Sequence, residues 1–411
     1  MELRTYQKEI SKKATSILNH YKFVYLAMEV RTGKTLTSLD IANNFINIHN
    51  VLFITKKKAI PSIQEDYEKL QPKYSILVTN YEQLHNIDKR GWDIVIIDEA
   101  HCLGAFPKPS KRAKFVKEII TTSKPYVIFL SGTPTPESFS QFYHQVYGCP
   151  QNPFKKCKNF YRFADNYVKK YERMINGFKV VDYSNGKEDI REEMKPFTLS
   201  YSQKEAGFKS KIKENFLKVI IDPYVHAMCE ELKQEKIIEI DDEIILADTP
   251  VKLMSKLHQL YSGTVKFESG NTRIFDLSKA NFIKEKFKGK RIGVFYKFKA
   301  EFDALKKVFG DQLVFDLPSF DSNKGSVIAL QIVSGREGIS LKNADCIVYY
   351  NIDFSATSYW QSRDRMTTKY RLNNKVYWLF SDVGIESKIY KAVSNKKDYT
   401  LRHFKKDYES V

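Results

Sequence analysis

The sequence predicts two α/β units, each built on a parallel sheet, with a mainly helical middle region between them. Three observations predict it. Short apolar runs recur with polar or amphipathic sequence between them, the rhythm of parallel strands with crossover helices. That rhythm occurs twice, over residues 1–148 and again over 275–411. The stretch between, 149–274, has another texture: "YGCPQNPFKKCKNF", then aromatic and basic sequence, then helical patterns such as "PVKLMSKLHQLYSG".

Each element follows from its residues. In the first unit the strands are "FVYLAM", "VLFIT", "SILVTN", "DIVIID" and "YVIFLSG". In the second they are "RIGVFY", "LVFDL", "SVIALQIV", "CIVYYN" and "VYWLF". All are short and nearly continuous in apolar residues, as strands covered on both faces are. The 411 residues suffice for two or three domains, and 42% are hydrophobic, enough for ordinary cores.

The formal net charge is +18. An excess of that size favours a polyanionic partner, because lysine and arginine displace condensed counterions from phosphates. No run is apolar and long enough to cross a bilayer, and "MELRTYQKEI" is too polar for a signal peptide. Cys102, Cys149, Cys157, Cys229 and Cys346 are scattered without a CxxC pair. That pattern speaks against a disulfide framework or a zinc site and for a reducing compartment, the cytoplasm.

The stretch "LAMEVRTGKTLTS" has the strand–loop–helix context of a phosphate-binding loop and ends in Gly33, Lys34 and Thr35. Met28 stands where the first glycine of G-x-x-x-x-G-K-[ST] belongs. Backbone amides at the helix N-terminus would hold phosphates. Lys34 would reach the β/γ-phosphates and the Thr35 hydroxyl would bind Mg²⁺. In "GWDIVIIDEAH" a strand ends in Asp98 and Glu99. Asp98 is expected to hold Mg²⁺ and Glu99 to position or deprotonate an attacking water.

Lys34-Thr35 and Asp98–His101 resemble motifs I and II of superfamily 2 helicases and translocases, the latter a DEAH sequence. Further segments follow in the family's order. "LRTYQ" resembles the adenine-recognising Q motif, with Gln7 as the base-contacting candidate. "VLFITKKKAI" resembles motif Ia and "LSGTPTP" motif III. "VSGREGISL" resembles motif V and "YWQSRDRM" motif VI. "NIDFSATSYWQSRDR" and "VGIESKIY" are most similar to the Swi/Snf-like branch, within which the compact middle region resembles annealing and fork-remodelling helicases and small phage relatives.

The resemblance implies two RecA-like lobes in tandem. Lobe 1 (1–148) would carry the Q motif and motifs I, Ia, II and III; lobe 2 (275–411) would carry motifs IV, V and VI. ATP and Mg²⁺ would bind between them. Swi/Snf-like loops resemble D-E-x-G-x-G-K-T. Glu29 and Gly33 match, but Arg31 takes the earlier glycine's place, so a working site with a stiffer loop is expected, with Arg31 and Thr32 beside the nucleotide. Motif VI, Q-x-x-[GD]-R-x-x-R, is matched by Gln361, Asp364 and Arg365. Thr368 stands where the last arginine belongs. Arg365 is the expected finger, and Arg363, Lys369 or Arg371 would replace the missing charge. Gly338 would allow close backbone passage near the nucleotide.

A motor of this kind holds the sugar-phosphate backbone through loops on both lobes. The candidates are Thr55, Lys56, Lys57, Lys58, Asn80 and Tyr81 in the first lobe, and Lys297, Ser334, Arg336 and Ser340 in the second. The expected activity is an ATP-dependent DNA helicase or translocase acting on duplex, forked or branched DNA, in a host's cytoplasm if phage-encoded. The alternatives are an RNA-stimulated ATPase that remodels ribonucleoprotein and a non-catalytic nucleic-acid clamp. The clamp is motivated by Met28, Arg31 and Thr368.

Overall fold

The computed structural model describes residues 2–175, 178–209, 211–322, 325–335, 339–368 and 371–395. The chain forms two compact units, Met1–Phe208 and Lys209–Val411.

The first unit runs α1 (Thr5–Tyr21), β1 (Phe23–Met28), α2 (Lys34–Asn43), β2 (Asn50–Thr55), α3 (Ile60–Leu70), β3 (Ser75–Asn80), β4 (Ile94–Asp98), α4 (Lys111–Ser123) and β5 (Tyr126–Leu130). It continues with α5 (Phe142–Val146), α6 (Phe160–Tyr167), a hairpin of β6 (Tyr171–Ile175) and β7 (Phe178–Asp182), α7 (Asp189–Met194) and β8 (Thr198–Tyr201). Six strands form one sheet in the order β3-β2-β4-β5-β1-β8, every neighbour parallel. β1, β2, β4 and β5 are buried nearly throughout, since helices cover both faces. Phe23, Tyr25 and Phe129 pack with Phe142, Met194 and Phe197 on one face. Val24, Leu26 and Met28 pack with Ala14, Leu18 and Leu39 on the other. Strand alternation explains the split.

The second unit opens with β9 (Lys211–Val219), α8 (Pro223–Glu235), β10 (Ile237–Ile240), β11 (Glu243–Leu246), α9 (Pro250–Leu260), β12 (Thr264–Lys266) and β13 (Thr272–Ile274). Then come α10 (Ser278–Lys286), β14 (Ile292–Tyr296), α11 (Lys299–Phe309), β15 (Leu313–Val314), α12 (Leu317–Asp321), β16 (Val327–Gln331) and α13 (Ile332–Gly335). The unit ends with β17 (Cys346–Tyr349), α14 (Ala356–Arg363), β18 (Asn373–Ser381) and α15 (Glu386–Ser394). Its sheet is again six parallel strands, in the order β15-β16-β14-β17-β18-β9. The tandem parallel-sheet architecture expected from the sequence is thus present.

Residues 149–274 hold both helices and strands. Besides α6–α9 they form three two-stranded ribbons and supply β8 and β9, one edge strand to each large sheet. "TLSY" is short and only partly buried. "KIKENFLKV" is half-exposed and lysine-rich, the composition that protects a sheet edge from further pairing. Neither has the apolar run of a central strand. Among the described residues no helix is long and apolar enough to cross a membrane.

In the second unit α10 and α15 are joined by a fully buried ion pair. Lys279 Nζ donates to Glu386 Oε1 at 2.6 Å, with side chains 1% and 0% exposed. The Ser381 hydroxyl also donates to this carboxylate, at 2.9 Å. A Cβ on Gly384 would lie 1.9 Å from Glu386 Oε2, so only glycine fits beside it. Removing one partner leaves the other charge buried without compensation. Lys279→Met is therefore expected to destabilise the second unit by about 3 kcal/mol in urea unfolding, with Lys279→Met/Glu386→Leu recovering most of it.

Candidate nucleotide site

The order β4-β5-β1 brings three strand ends side by side in the first unit. The loop after β1 carries the phosphate-loop residues, β4 ends in Asp98, and β5 between them leads into Ser131 and Gly132. Ligands of parallel sheets bind at such carboxyl ends.

Met28 is the last residue of β1 and fully buried, so the place of the missing first glycine belongs to the strand rather than the turn. The loop reverses through two left-handed residues, Arg31 at φ 65° and Gly33 at φ 83°. Arg31 thus adopts the conformation a glycine would take more easily, at a cost of roughly 1–2 kcal/mol. At Gly33 a Cβ would lie 2.2 Å from Gln7 Nε2, so glycine is required there for space as well.

The loop is held from outside. Thr32 is buried, and its hydroxyl donates to Glu29 O at 2.7 Å. The Tyr6 hydroxyl donates to Thr32 O at 2.9 Å, and Gln7 Nε2 to Gly33 O at 3.2 Å. Gln7 Oε1 accepts from the Arg4 amide at 2.9 Å, so both ends of the Gln7 amide are engaged within the protein. From the β8 side, Glu29 N–H donates to Tyr201 O at 2.9 Å. Gln203 N–H donates to Glu29 Oε2 at 2.7 Å, and Gln203 Nε2 to Val30 O at 3.0 Å. Tyr6 and Tyr201 stack with centroids 4.7 Å apart.

α2 has no side-chain cap at Gly33, which leaves its first amides directed at the loop's mouth. Lys34 Nζ donates to Met28 O at 2.9 Å and Glu29 O at 3.3 Å, a cation held over the loop. Thr35 is half-buried at the start of α2. A pocket of about 530 Å³ adjoins the strand ends, lined in part by Ala27, Glu29, Gly132, Thr135, Ser200 and Tyr201.

Asp98 Oδ2 accepts from the Thr55 hydroxyl at 2.8 Å, and the Tyr81 hydroxyl donates to Asp98 O at 2.5 Å. Burial, and then the neighbouring Glu99 charge, raise the Asp98 carboxyl to about 6, while Thr55 and Lys34 oppose the rise. Glu99 is itself left-handed at φ 52°, an arrangement that tertiary contacts must enforce. Its Oε2 lies 3.3 Å from His101 Nδ1, which is 3.1 Å from Ser131 Oγ. A Cβ on Gly132 would lie 3.6 Å from Lys34 Nζ. The strand end after β5 therefore adjoins the lysine and reaches Glu99 through His101. Among the described residues no cluster of three or more His, Cys, Asp or Glu could hold a metal by itself. Magnesium at a nucleotide site needs only one or two carboxylates, with water and phosphate completing the shell, and Thr35 with Asp98 fits that donor set.

The residues that resemble motif VI lie on α14 and the turn after it, in the second unit. Arg365 is 9% exposed; its Nε donates to Gln361 O at 2.9 Å and its Nη1 to Ile339 O at 3.4 Å. Gln361 is buried, and among the described residues its Oε1 has no hydrogen-bond partner. Two of the three substitutes for the missing arginine are occupied. Arg363 pairs with Glu214 at 3.7 Å and lies 4.0 Å over the Trp360 ring. Arg371 donates to the carbonyls of Ala344 at 2.7 Å, Asp345 at 2.9 Å and Lys342 at 3.2 Å. Lys369, Arg336 and Gly338 lie outside the described residues.

The backbone-binding candidates divide in the same way. Thr55 is fully buried against Asp98. Asn80 Oδ1 caps the turn that follows it, accepting from Glu82 and Gln83 amides at 3.0 and 3.1 Å. Tyr81 is 3% exposed. Lys297 is paired with Asp353 at 3.0 Å and sits 3.5 Å over the Phe354 ring. Lys57 and Lys58 are exposed after β2, Lys56 is half-exposed, and Ser340 is half-buried. Ser334 lies in α13, its side chain outside the described set. Tyr6, Ser131 and Gln203 were not among the sequence candidates. Tyr6 and Ser131 stand inside recognisable motifs; Gln203 carries no local signal and is found only through its contact with the loop.

Two family models match the chain. Residues 47–260, more than half of the chain, match the SNF2-related domain. Residues 1–75 match the type III restriction enzyme, res subunit. A comparison with curated proteins finds no match.

Two expectations follow from the site. Arg31→Gly should exceed Arg31→Val in stability by about 1–2 kcal/mol in thermal unfolding, because a β-branched residue tolerates the left-handed turn least. The raised Asp98 carboxyl means the folded state holds a proton up to about pH 6 that the unfolded chain has already lost. Ionised Asp98 therefore weakens folding above that pH. Asp98→Asn should raise stability at pH 8 by on the order of 2 kcal/mol, the gain fading toward pH 4 in urea titrations.

Proposed function

The chain belongs to the SNF2-related family of superfamily 2 helicase-type ATPases, and on that premise we propose that it couples ATP hydrolysis to movement along, or remodelling of, duplex or branched DNA. The observation that carries the reading is the convergence of Lys34, Asp98, Glu99 and the Ser131–Gly132 turn on three adjacent strand ends.

In this reading the α2 amides and Lys34 bind the phosphates, and Thr35 with Asp98 holds magnesium. Magnesium-ATP supplies the electrophilic γ-phosphoryl group when bound. Glu99 accepts a proton from water at its carboxylate, oriented through His101, and Ser131 ties that pair to the strand beside the phosphate loop. Arg365 contributes the cation that offsets developing charge, an effect worth ~10³–10⁵ in rate. The exposed Lys57 and Lys58 and the half-exposed Lys56 are the proposed backbone contacts of the first unit, with Arg336 a further candidate in the second. The net charge of +18 supports a polyanionic track.

The test is hydrolysis measured with no polymer, duplex DNA, forked DNA and RNA. Stimulation by duplex or forked DNA is the expected outcome. Stimulation by RNA alone would transfer the assignment to ribonucleoprotein remodelling, and none by any polymer would leave a clamp. Lys34→Ala and Glu99→Gln should each lower turnover by at least ~10²-fold; near-normal turnover in either would refute the assigned site.

A further inference from the structure

Glu214 lies on β9, the first strand after the boundary between the units. Strand alternation puts it on the same face as Ile212, which packs on the core, and Phe216, whose ring meets Phe380 and Tyr390. Packing alone would place an apolar residue there. Instead a carboxylate, with its side chain 18% exposed, gathers donors from three elements. The Tyr359 hydroxyl lies 3.0 Å from Oε1 and 2.9 Å from Oε2. Trp378 Nε1 donates to Oε1 at 3.1 Å, and the Tyr390 hydroxyl to Oε2 at 2.9 Å. Arg363 Nη1 is 3.7 Å from Oε2 and also donates to the Tyr359 hydroxyl at 3.0 Å. Hydrogen bonds to an ionised acceptor are the strong and directional class.

Two of these donors, Tyr359 and Arg363, belong to α14, so the carboxylate fixes that helix against β9. α14 contains Gln361 and runs directly into Arg365, whose Nε bonds Gln361 O and whose own carbonyl accepts from Leu341 N–H at 2.8 Å. Arg365 therefore inherits the orientation of the helix that Glu214 holds.

We infer that Glu214 is a positioning residue for Arg365, acting through Tyr359 and Arg363. Its proposed effect on turnover rests on the reading of Arg365 as the catalytic cation. The Arg363 guanidinium serves this lock rather than standing in for the arginine missing at Thr368.

The test compares Glu214→Gln, Tyr359→Phe and Tyr390→Phe in the full chain. The first two loosen α14; the third removes a donor from α15, with its long 3.5 Å hydroxyl contact to Tyr359, and leaves the Tyr359 and Arg363 contacts of α14 to Glu214 in place. The first readout is modification by phenylglyoxal, followed at individual arginines by peptide mass, with Arg291 and Arg371 of the same unit as internal references. Arg365 should be labelled at least about threefold faster in Glu214→Gln and Tyr359→Phe, the references and Tyr390→Phe staying at the wild-type rate, since local opening is confined to what the lock holds. An unchanged Arg365 rate overturns the inference, as does a parallel rise at all three arginines, which would mean general loosening. The second readout is DNA-stimulated hydrolysis. Glu214→Gln should lower kcat about tenfold with KM for ATP unchanged, because a displaced transition-state group leaves ground-state binding intact; a rise in KM with kcat preserved contradicts the proposal. A wild-type protein without hydrolysis, but with the labelling pattern above, would refute the functional reading while leaving the Glu214–Arg365 link in place.

Discussion

Parallel pairing is the constraint on which the rest of each unit depends. A parallel neighbour cannot be reached by a tight turn, so the chain must cross behind the sheet before starting the next strand. Every strand then ends on the same edge, and the loops there are free to carry chemistry. In the first sheet the order β4-β5-β1 decides which loops become neighbours. Lys34, Asp98 and Ser131 are far apart in sequence and meet because β5 was inserted between β1 and β4. The same rule applied to the second sheet sets β17 and β18 side by side, with α14 between them in sequence.

The loop after β1 shows how a local conflict is resolved by tertiary contacts. Arginine in place of glycine disfavours the left-handed turn, yet the turn is made. What over-determines it is a set of bonds from two directions: Tyr6 and Gln7 on α1, Tyr201 and Gln203 after β8. α1 precedes the loop closely in sequence, but the β8 turn reaches it from about 170 residues away, a separation the Gln203–Val30 bond records as 173. Tyr201 and Gln203 both belong to the first unit, which ends at Phe208.

Cations that look available in a sequence are often already engaged. Lys297 is matched by Asp353 and stacked on Phe354, Arg371 satisfies a row of carbonyls, and Arg363 serves Glu214. Each of these buries part of a charged side chain, which is tolerable only with such partners. The basic excess of the protein is thus divided between internal structural roles and exposed lysines such as Lys57. Only the second class can exchange counterions with a nucleic-acid backbone.

The two parallel-sheet units, the central strands and the residues at their carboxyl ends are legible in the order of residues, because continuous apolar runs and turn-forming residues are local properties. "DIVIID" reads as a buried strand ending in a carboxylate, and "RTGKT" as a turn into a helix. Tertiary structure alone decided what was not local. The edge strands β8 and β9 lack apolar runs, since one side of an edge faces solvent, and they were legible only once paired with β1 and β18. Thr55, Asn80 and Tyr81 read as surface candidates because they follow strands, whereas their side chains turn inward to Asp98 and to the turn they cap. Glu214 reads as one acid among lysines; that it gathers Tyr359, Trp378, Arg363 and Tyr390 depends on the pairing of β9 with β18, which sets Glu214 opposite Val376, and on a helix whose Tyr359 is 145 residues away in sequence. Which charges face water and which hold the fold is settled by contacts between distant segments, and no local pattern encodes those.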